Sequence, residues 1–299
     1  MKYVVTGGAG FVGSNLVAAL VARNDTVIVL DNYRTGHQPG RLVTGASYRE
    51  IDIVDPACSF TDFQDADVVF HVAAVPRVQY SIKNPGETLQ ANVVGTQRVL
   101  EAARHYKVSR VVFASSSSVY GDGQTPPFSE EGPTCPQSPY GLQKRFGEQL
   151  CAMWHAIYGL ETVSLRLFNA YGPRMDAAGP YALLMSNFLS QKQKGVPLEI
   201  AGDGTHSRDF THVSDVVRAF LLAAESEHVG GGEIINIGAG RTVSVSYIAG
   251  LFGGETIHVE ARPEPSCTLA DNTKAERLLG WKPSVSIEDG VADLISRYC

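Results

Sequence analysis

Lys2-Tyr3-Val4-Val5-Thr6-Gly7-Gly8-Ala9-Gly10-Phe11-Val12-Gly13 is the stretch on which the reading of this chain turns. Its apolar start reads as a short strand. From residue 10 to 23, Phe11, Leu16, Ala19 and Leu20 recur at helical spacing. Between the two stands G-x-x-G-x-x-G, looser than G-x-G-x-x-G, and its placement matters more than its letters. Glycine admits left-handed turns and lets backbone approach a ligand closely. The first helical amides and the helix dipole then face a pyrophosphate, while Gly13 relieves crowding between helix and strand. The next apolar run, Thr26 to Asp31, ends about 20 residues past the glycines, where an acid binds the adenosine ribose hydroxyls. Strand, glycine loop, helix, strand and acid together make a dinucleotide-binding order. Asp31 favours NAD over NADP, because a 2′-phosphate would face like charge; Arg34 works against that preference by offering the phosphate a partner. The candidate cofactor residues are therefore Gly7, Gly10, Phe11, Val12, Gly13, Asp31 and Asn32, joined by Asp52, Ile53 and Ala73. Asp52 has two open readings: it accepts a bond from the adenine amine, or it is a solvated acid at a strand end.

Outward from that stretch, apolar strands at 47–51, 68–72, 110–115 and 162–167 alternate with helical stretches at 84–106 and 140–158. Such alternation implies a parallel sheet covered on both faces, with helices as the crossovers. The expected class is α/β: a Rossmann-like doubly wound parallel sheet with a smaller, interleaved C-terminal substrate-binding domain. Residues 1–170 are assigned to the first domain and 171–299 mainly to the second, with part of 210–240 returning to the first. Beyond 170, helices are expected at 181–192, 214–224, 244–251, 272–279 and 287–298, and a strand at 233–237. The segment 121–139, rich in Pro, Gly, Ser and Glu, reads as a loop or lid.

Composition narrows the class. Of 299 residues 44% are apolar and 19% charged, which suits a compact soluble protein. A net charge of -6 argues against a nucleic-acid surface, yet a pocket can still hold arginines for an anionic substrate. The chain starts directly as a strand, without a signal-peptide pattern, and no apolar run is long enough to cross a bilayer. Cys58, Cys135, Cys151, Cys267 and Cys299 are scattered, which suits a reducing, cytoplasmic setting. Neither C-x-x-C nor H-E-x-x-H occurs, so no metal site is expected.

Chemistry enters at Tyr140 and Lys144. Four residues apart at the start of a helix, they face one cavity, with Ser138 as the N-cap and Pro139 in the first turn. Tyrosine is a poor base at its usual pKa of about 10, but a nearby ammonium favours the phenolate. Lys144 can also hold the nicotinamide ribose. This spacing is common on any helix, so the strand before it matters. That strand runs into Ala114-Ser115-Ser116-Ser117-Ser118-Val119-Tyr120-Gly121, and ligands of open α/β sheets sit at the carboxyl ends of strands. Hydroxyls there bond a reacting alcohol without adding charge, or merely cap a buried strand; chemistry alone does not choose among the four serines. His71 reads as structural, His212 as support for the Arg208 segment, and Trp154 and Tyr158 as packing residues.

The combination resembles the extended short-chain dehydrogenase/reductase family, especially nucleotide-sugar 4-epimerases of the UDP-glucose type. The resemblance covers nearly the whole chain. It rests on TGGAGFVG at 6–13, LDN at 30–32, HVAA at 71–74, NVVGT at 92–96, SSSSVYG at 115–121, YGLQK at 140–144, RLFNAYGPR at 166–174 and RDFTHVSDV at 208–216. It implies that Tyr140 is the base, Lys144 its partner and Ser116 the active-site hydroxyl, with Ser117 beside it. It implies that Asn169 contacts the sugar nucleotide and that Arg208 and Arg262 hold its phosphates, a task suited to the rigid guanidinium fork. Asp271, which anchors the alignment near the C-terminal end, is a further substrate-binding candidate. Thr268 falls in the sugar pocket, where a small residue admits N-acetylhexosamines, and Arg77 contacts a carboxylate or the phosphates. The segment after Arg262 departs from the family's Arg-Pro-Gly-Asp and is shorter. The family's dehydratases carry an Asp-Glu pair in the serine segment, and its decarboxylases a Glu before Val-Tyr-Gly. Ser116-Ser117-Ser118 supplies neither acid, which argues against both reactions.

The implied reaction is 4-epimerisation with NAD as transient hydride acceptor. Tyr140 takes the proton of the sugar 4-OH, C4 passes hydride to NAD, and the 4-keto sugar turns and receives both back on its other face. UDP-glucose/UDP-galactose interconversion is the leading expectation. The alternatives are a UDP-N-acetylglucosamine or UDP-glucuronate 4-epimerase, a net nucleotide-sugar dehydrogenase or reductase, and a non-catalytic NAD-binding regulator. The resemblance also implies a homodimer built on the helices near 92–106 and 141–158.

Overall fold

The computed structural model describes residues 1–34, 38–175, 184–260 and 266–299. Its first part supplies strands β1 (Lys2–Thr6), β2 (Thr26–Asp31), β3 (Ser47–Glu50), β4 (Val68–His71), β5 (Arg110–Ser116) and β6 (Glu161–Leu167). Later come β7 (Ala170–Tyr171), β8 (Leu198–Ala201), β9 (Ser207–Asp209), β10 (Thr211–His212), β11 (Gly231–Ile237), β12 (Thr242–Ser244) and β13 (Thr256–Val259). The helices are α1 (Phe11–Ala22), α2 (Val78–Lys83), α3 (Pro85–Leu89), α4 (Gly95–His105) and α5 (Pro139–Tyr158). They continue with α6 (Leu184–Lys194), α7 (Val213–Glu225), α8 (Val245–Phe252), α9 (Thr273–Leu279) and α10 (Ile287–Tyr298). Among the described residues, no helix is long and apolar enough to cross a membrane.

Seven strands form one parallel sheet in the order β11-β6-β5-β4-β1-β2-β3 among the described residues. This is a doubly wound Rossmann-like sheet. The chain winds outward in both directions from β1, so the β1/β4 boundary leaves a crevice at the carboxyl ends of the strands. The pleat explains the apolar runs. Tyr3 and Val5 face one layer with Leu16, Phe70, Phe220 and Trp281, while Val4 faces the other with Val69, Leu100, Phe113 and Trp154. With helices on both faces, β5 is buried along its whole length. α7 and β11 pack on this sheet although they follow residue 170.

A third core gathers Tyr171, Phe188, Leu198, Phe252, Val291 and Leu294 from α6, α8, α10 and nearby strands. It is tied to α1 by hydrogen bonds. Asn15 Nδ2 donates to the Pro173 carbonyl at 3.0 Å, and Arg174 Nη1 donates to the Ser14 carbonyl at 2.6 Å.

Two expectations about local structure change. The helix expected at 84–106 is α3 and α4 joined by a π-helical turn, Gln90–Val94. That wider turn lets Asn92 face inward, where its side chain bonds the Val75 amide and carbonyl at 2.8 and 3.1 Å and Gln143 Oε1 at 2.9 Å. The preceding α2 was not anticipated, nor were the short strands β7–β10, β12 and β13. Part of the helix expected at 181–192 lies outside the described residues, and its described part is α6.

Candidate active site

A cavity of about 540 Å³ opens at the carboxyl ends of the central strands. One end is walled by Gly7, Gly10, Phe11, Val12, Gly13, Asp31, Asn32, Asp52, Ile53 and Ala73. The turn between β1 and α1 is a tight one. Gly7 has φ +72°, and a Cβ on Gly13 would lie 2.2 Å from the Gly7 carbonyl oxygen. Gly10 caps α1 with no side-chain acceptor, and the first turn carries no acid. By contrast α5, α7, α8 and α10 each begin with a side chain that accepts a backbone N–H. The amides of the first α1 turn are thus left for an anion, and the glycines keep its approach clear of side chains.

Asp31 is held by the loops it joins. Its Oδ2 accepts from the Ala9 amide at 2.9 Å and its Oδ1 from the Tyr33 amide at 2.8 Å. These two bonds hold the carboxylate at the cavity wall, where an acid meets the ribose hydroxyls of a dinucleotide. Asn32 Nδ2 donates to Asp52 Oδ2 at 3.1 Å, which ties Asp52 to the same loop. The structure does not leave Arg34 to a 2′-phosphate. Instead its guanidinium pairs with Glu87 and donates to the Tyr80 hydroxyl at 2.9 Å, which in turn donates to Glu87 at 2.9 Å. Its charge is already matched, so the NAD preference set by Asp31 is not opposed. Arg41 was missed by sequence reasoning. It is 2% exposed, lines the cavity and donates from Nε to the Arg174 carbonyl at 2.9 Å. Nothing in its local sequence marks it.

At the other end, Arg77, Ser116, Ser117, Tyr140, Lys144 and Asn169 share the walls. Tyr140 stands in the first turn of α5, where Ser138 Oγ accepts from the Gly141 amide at 3.1 Å. The Tyr140 amide donates to Ser81 Oγ at 3.0 Å, joining α5 to α2. Gly141 lets the helix sit against the serine turn, since a Cβ there would lie 2.4 Å from the Ser118 carbonyl. The pleat resolves the choice among serines. Ser115 Oγ donates to Glu148 at 2.6 Å, whereas Ser116, whose Oγ donates to Ser118 Oγ at 3.1 Å, lines the cavity and bears on the Tyr140 phenol.

Burial raises the Tyr140 pKa above its ordinary value, and the Ser116 hydroxyl and the charge of Arg77 oppose that rise. Lys144 Nζ donates to the Ala114 carbonyl at 2.7 Å and lies 5.9 Å from the centre of the Tyr140 ring. Burial of its ammonium brings its pKa down to about 7. Arg77 reaches its place through a backbone with φ +95°, a conformation that costs a non-glycine residue about 1–3 kcal/mol and clusters at functional sites.

The model of the NAD dependent epimerase/dehydratase family matches residues 3–238. The chain belongs to that family. Over its full length it is 36% identical to the UDP-glucose 4-epimerase of Mycolicibacterium smegmatis, covering 98% of that protein. Among solved structures it resembles the UDP-glucose 4-epimerase of Thermotoga maritima, with TM-score 0.92, 34% identity and coverage of 100% and 98% of the two chains. It also resembles the UDP-glucuronic acid 4-epimerase of Bacillus cereus, solved with UDP-glucuronic acid and NAD, with TM-score 0.88, 34% identity and 99% of each chain covered. NAD is the cofactor of this epimerase/dehydratase family member. The glycine cradle, the open amides of α1 and the fixed Asp31 fit it.

The remaining residues expected to bind substrate are less uniformly placed. Asn169, with φ +22°, donates from Nδ2 to the Asp209 carbonyl at 3.1 Å and to Thr268 Oγ1 at 3.3 Å. Thr268 therefore stands behind Asn169. Neither it nor Arg208, on β9, is among the described residues walling the cavity. Asp271 is not among the described residues walling the cavity; its Oδ1 accepts from the Thr273 amide at 2.9 Å and hydroxyl at 2.6 Å at the start of α9. Arg262 and the shortened segment through 265 lie outside the described residues. His71 is fully buried between Thr6 Oγ1 at 2.7 Å and Thr96 Oγ1 at 2.9 Å, and burial and the Lys144 charge take its pKa down to about 3. His212 caps α7 through Ser214, and Trp154 packs on Tyr158 with ring centres 5.6 Å apart.

Proposed function

We propose that this enzyme inverts C4 of a UDP-hexose through a transient 4-keto sugar. One observation carries the reading. Among the described residues, the carboxylates on the cavity wall are Asp31 and Asp52, both at the adenosine end, while the reactive end holds a phenol, serine hydroxyls and two cations. Elimination or decarboxylation would call for a positioned acid there. A phenol and a hydroxyl suffice to move one proton on and off an alcohol. Tyr140 takes the proton of the 4-OH and later returns it. Ser116 hydrogen-bonds the reacting oxygen in both directions, and Lys144 holds the nicotinamide ribose. Bound NAD supplies the hydride acceptor and donor. The sugar must turn over while its diphosphate stays fixed, which is the role we give Arg208 and Arg262.

UDP-glucose and UDP-galactose are the leading pair. Arg77 favours a second reading, a UDP-uronate, because its charge bears on Tyr140 at the end where the sugar ring reacts. The enzyme is further read as a cytoplasmic homodimer. In support of the dimer, Leu142, Phe146, Met153 and Ile157 are each 45–62% exposed on α5. They fall within a strip about 60° wide on that helix. The test is a panel of UDP-glucose, UDP-galactose, their N-acetylated forms and UDP-glucuronate, with products separated and absorbance followed at the reduced-cofactor band. A 4-epimer should form without net reduction of NAD, and Tyr140→Phe should slow it about 10²–10⁴-fold. Steady accumulation of reduced cofactor would instead mark a net dehydrogenase.

A further inference from the structure

α5 carries Tyr140, Lys144 and Glu148 at intervals of four residues, so the three share one helical face. Glu148 is 1% exposed and does not wall the cavity. Its Oε1 accepts from Ser115 Oγ at 2.6 Å and from Arg166 Nε at 2.8 Å, and its Oε2 from Arg166 Nη2 at 2.8 Å. Arg166, on β6, is also 1% exposed, and its guanidinium lies 4.6 Å from the centre of the Tyr120 ring. Tyr120 is anchored in turn by its hydroxyl, which donates to Asn236 Oδ1 on β11 at 2.6 Å. Ser115 and Tyr120 are the two ends of the turn that presents Ser116, Ser117 and Ser118.

We propose that the Glu148–Arg166 pair is a clamp that fixes both ends of the serine turn against the catalytic helix, making the two positioning residues for the Ser116–Tyr140 pair. The carboxylate pins Ser115 to the helix that bears Tyr140. The guanidinium, held by that same carboxylate, lies against the ring of Tyr120. Three elements of the sheet and one helix thereby converge on a six-residue span. Stability alone is a poor reason for such a pair, because two buried charges can often be replaced by apolar groups without loss. Misplacement of a reacting group by about 1 Å, in contrast, can cost about a hundredfold in rate.

The test compares the NAD-bound wild type with Ser115→Ala, which removes one arm, and with the double variant Glu148→Leu/Arg166→Met, which removes both charges together. kcat and KM would be measured on whichever UDP-sugar the wild type turns over, so this arm rests on the proposed function. Amide hydrogen exchange of the peptide spanning 115–120 needs no substrate and stands independently of it. The expected result is a kcat lowered tenfold or more in the double variant and a smaller drop in Ser115→Ala, with KM within about twofold. Ser116→Ala should cost markedly less in the double variant than in the wild type, because the two changes act on one contact. Exchange in 115–120 should quicken at least tenfold while β1 and β4 keep their protection. Wild-type exchange in that span for both variants would overturn the clamp. So would a wild-type kcat in Ser115→Ala and any folded double variant, or full additivity with Ser116→Ala. Absence of turnover by the wild type on every sugar would refute the proposed function and leave the exchange result to decide the clamp.

Discussion

Acidification should weaken this protein through His71, and the amount follows from its bonds. Thr96 Oγ1 donates its one proton to the Asn92 carbonyl at 2.7 Å, so it must accept from His71 Nε2. Nδ1 then accepts the Thr6 hydroxyl proton, and the ring is neutral. Its pKa in the folded protein is about 3, against 6.5 in the unfolded chain. Between those values the unfolded chain binds a proton that the folded one refuses, so stability falls as pH drops through that window. At pH 5 the loss is about 2 kcal/mol relative to neutral pH. Asp209 acts in the opposite sense. Its folded pKa, raised by burial to about 6 from 3.8, means that the folded chain holds the proton and gains stability as pH falls. That gain reaches about 1.4 kcal/mol at pH 5 and partly hides the histidine. The clean measurement is therefore the difference between the wild type and His71→Gln, from urea unfolding at pH 7.5 and at pH 5. At pH 7.5 the variant should be less stable by about 1–3 kcal/mol, since it loses buried hydrogen bonds. At pH 5 the gap should close by about 2 kcal/mol, because only the wild type has lost stability there through this ring. A gap equal at both pH values would refute the neutral, proton-refusing histidine.

Gly13→Ala would drive a Cβ to 2.2 Å from the Gly7 carbonyl oxygen and 2.8 Å from Gly8 Cα, both backbone atoms. Calorimetric titration should show NAD affinity lowered about ten- to a hundredfold, in keeping with overpacking costs of 1–3 kcal/mol; unchanged affinity would mean that the loop does not hold the cofactor's phosphates. Phe146→Glu places a charge in the exposed apolar strip of α5. Sedimentation at micromolar concentration should show the proposed dimer for the wild type and a monomer for the variant, and a variant as dimeric as the wild type would reject that face as the contact.

Much of the site was legible because its signals are short-range. The glycine spacing reports a backbone need, as Gly7 and Gly13 demonstrate, and Asp31 follows at a distance set by one helix and one strand. Tyr140 and Lys144 share a face by helical period alone. The π-turn was not legible, since Asn92 takes its inward direction from Val75 and Gln143, which are remote in sequence. Strands of two to four residues, such as β7, β9 and β10, are too brief to show a period.

By itself, then, the amino-acid order determined the parallel sheet, the phosphate loop and the catalytic helix, all consequences of local periodicity and of backbone freedom at a few glycines. Only the tertiary structure decided which serine faces the phenol, that the charge of Arg77 bears on it, and that Arg41 and the Glu148–Arg166 pair stand around the site. Those facts depend on which crossover brings which strand end to the crevice and on how each pleat turns its side chains, and no window of neighbouring residues contains them.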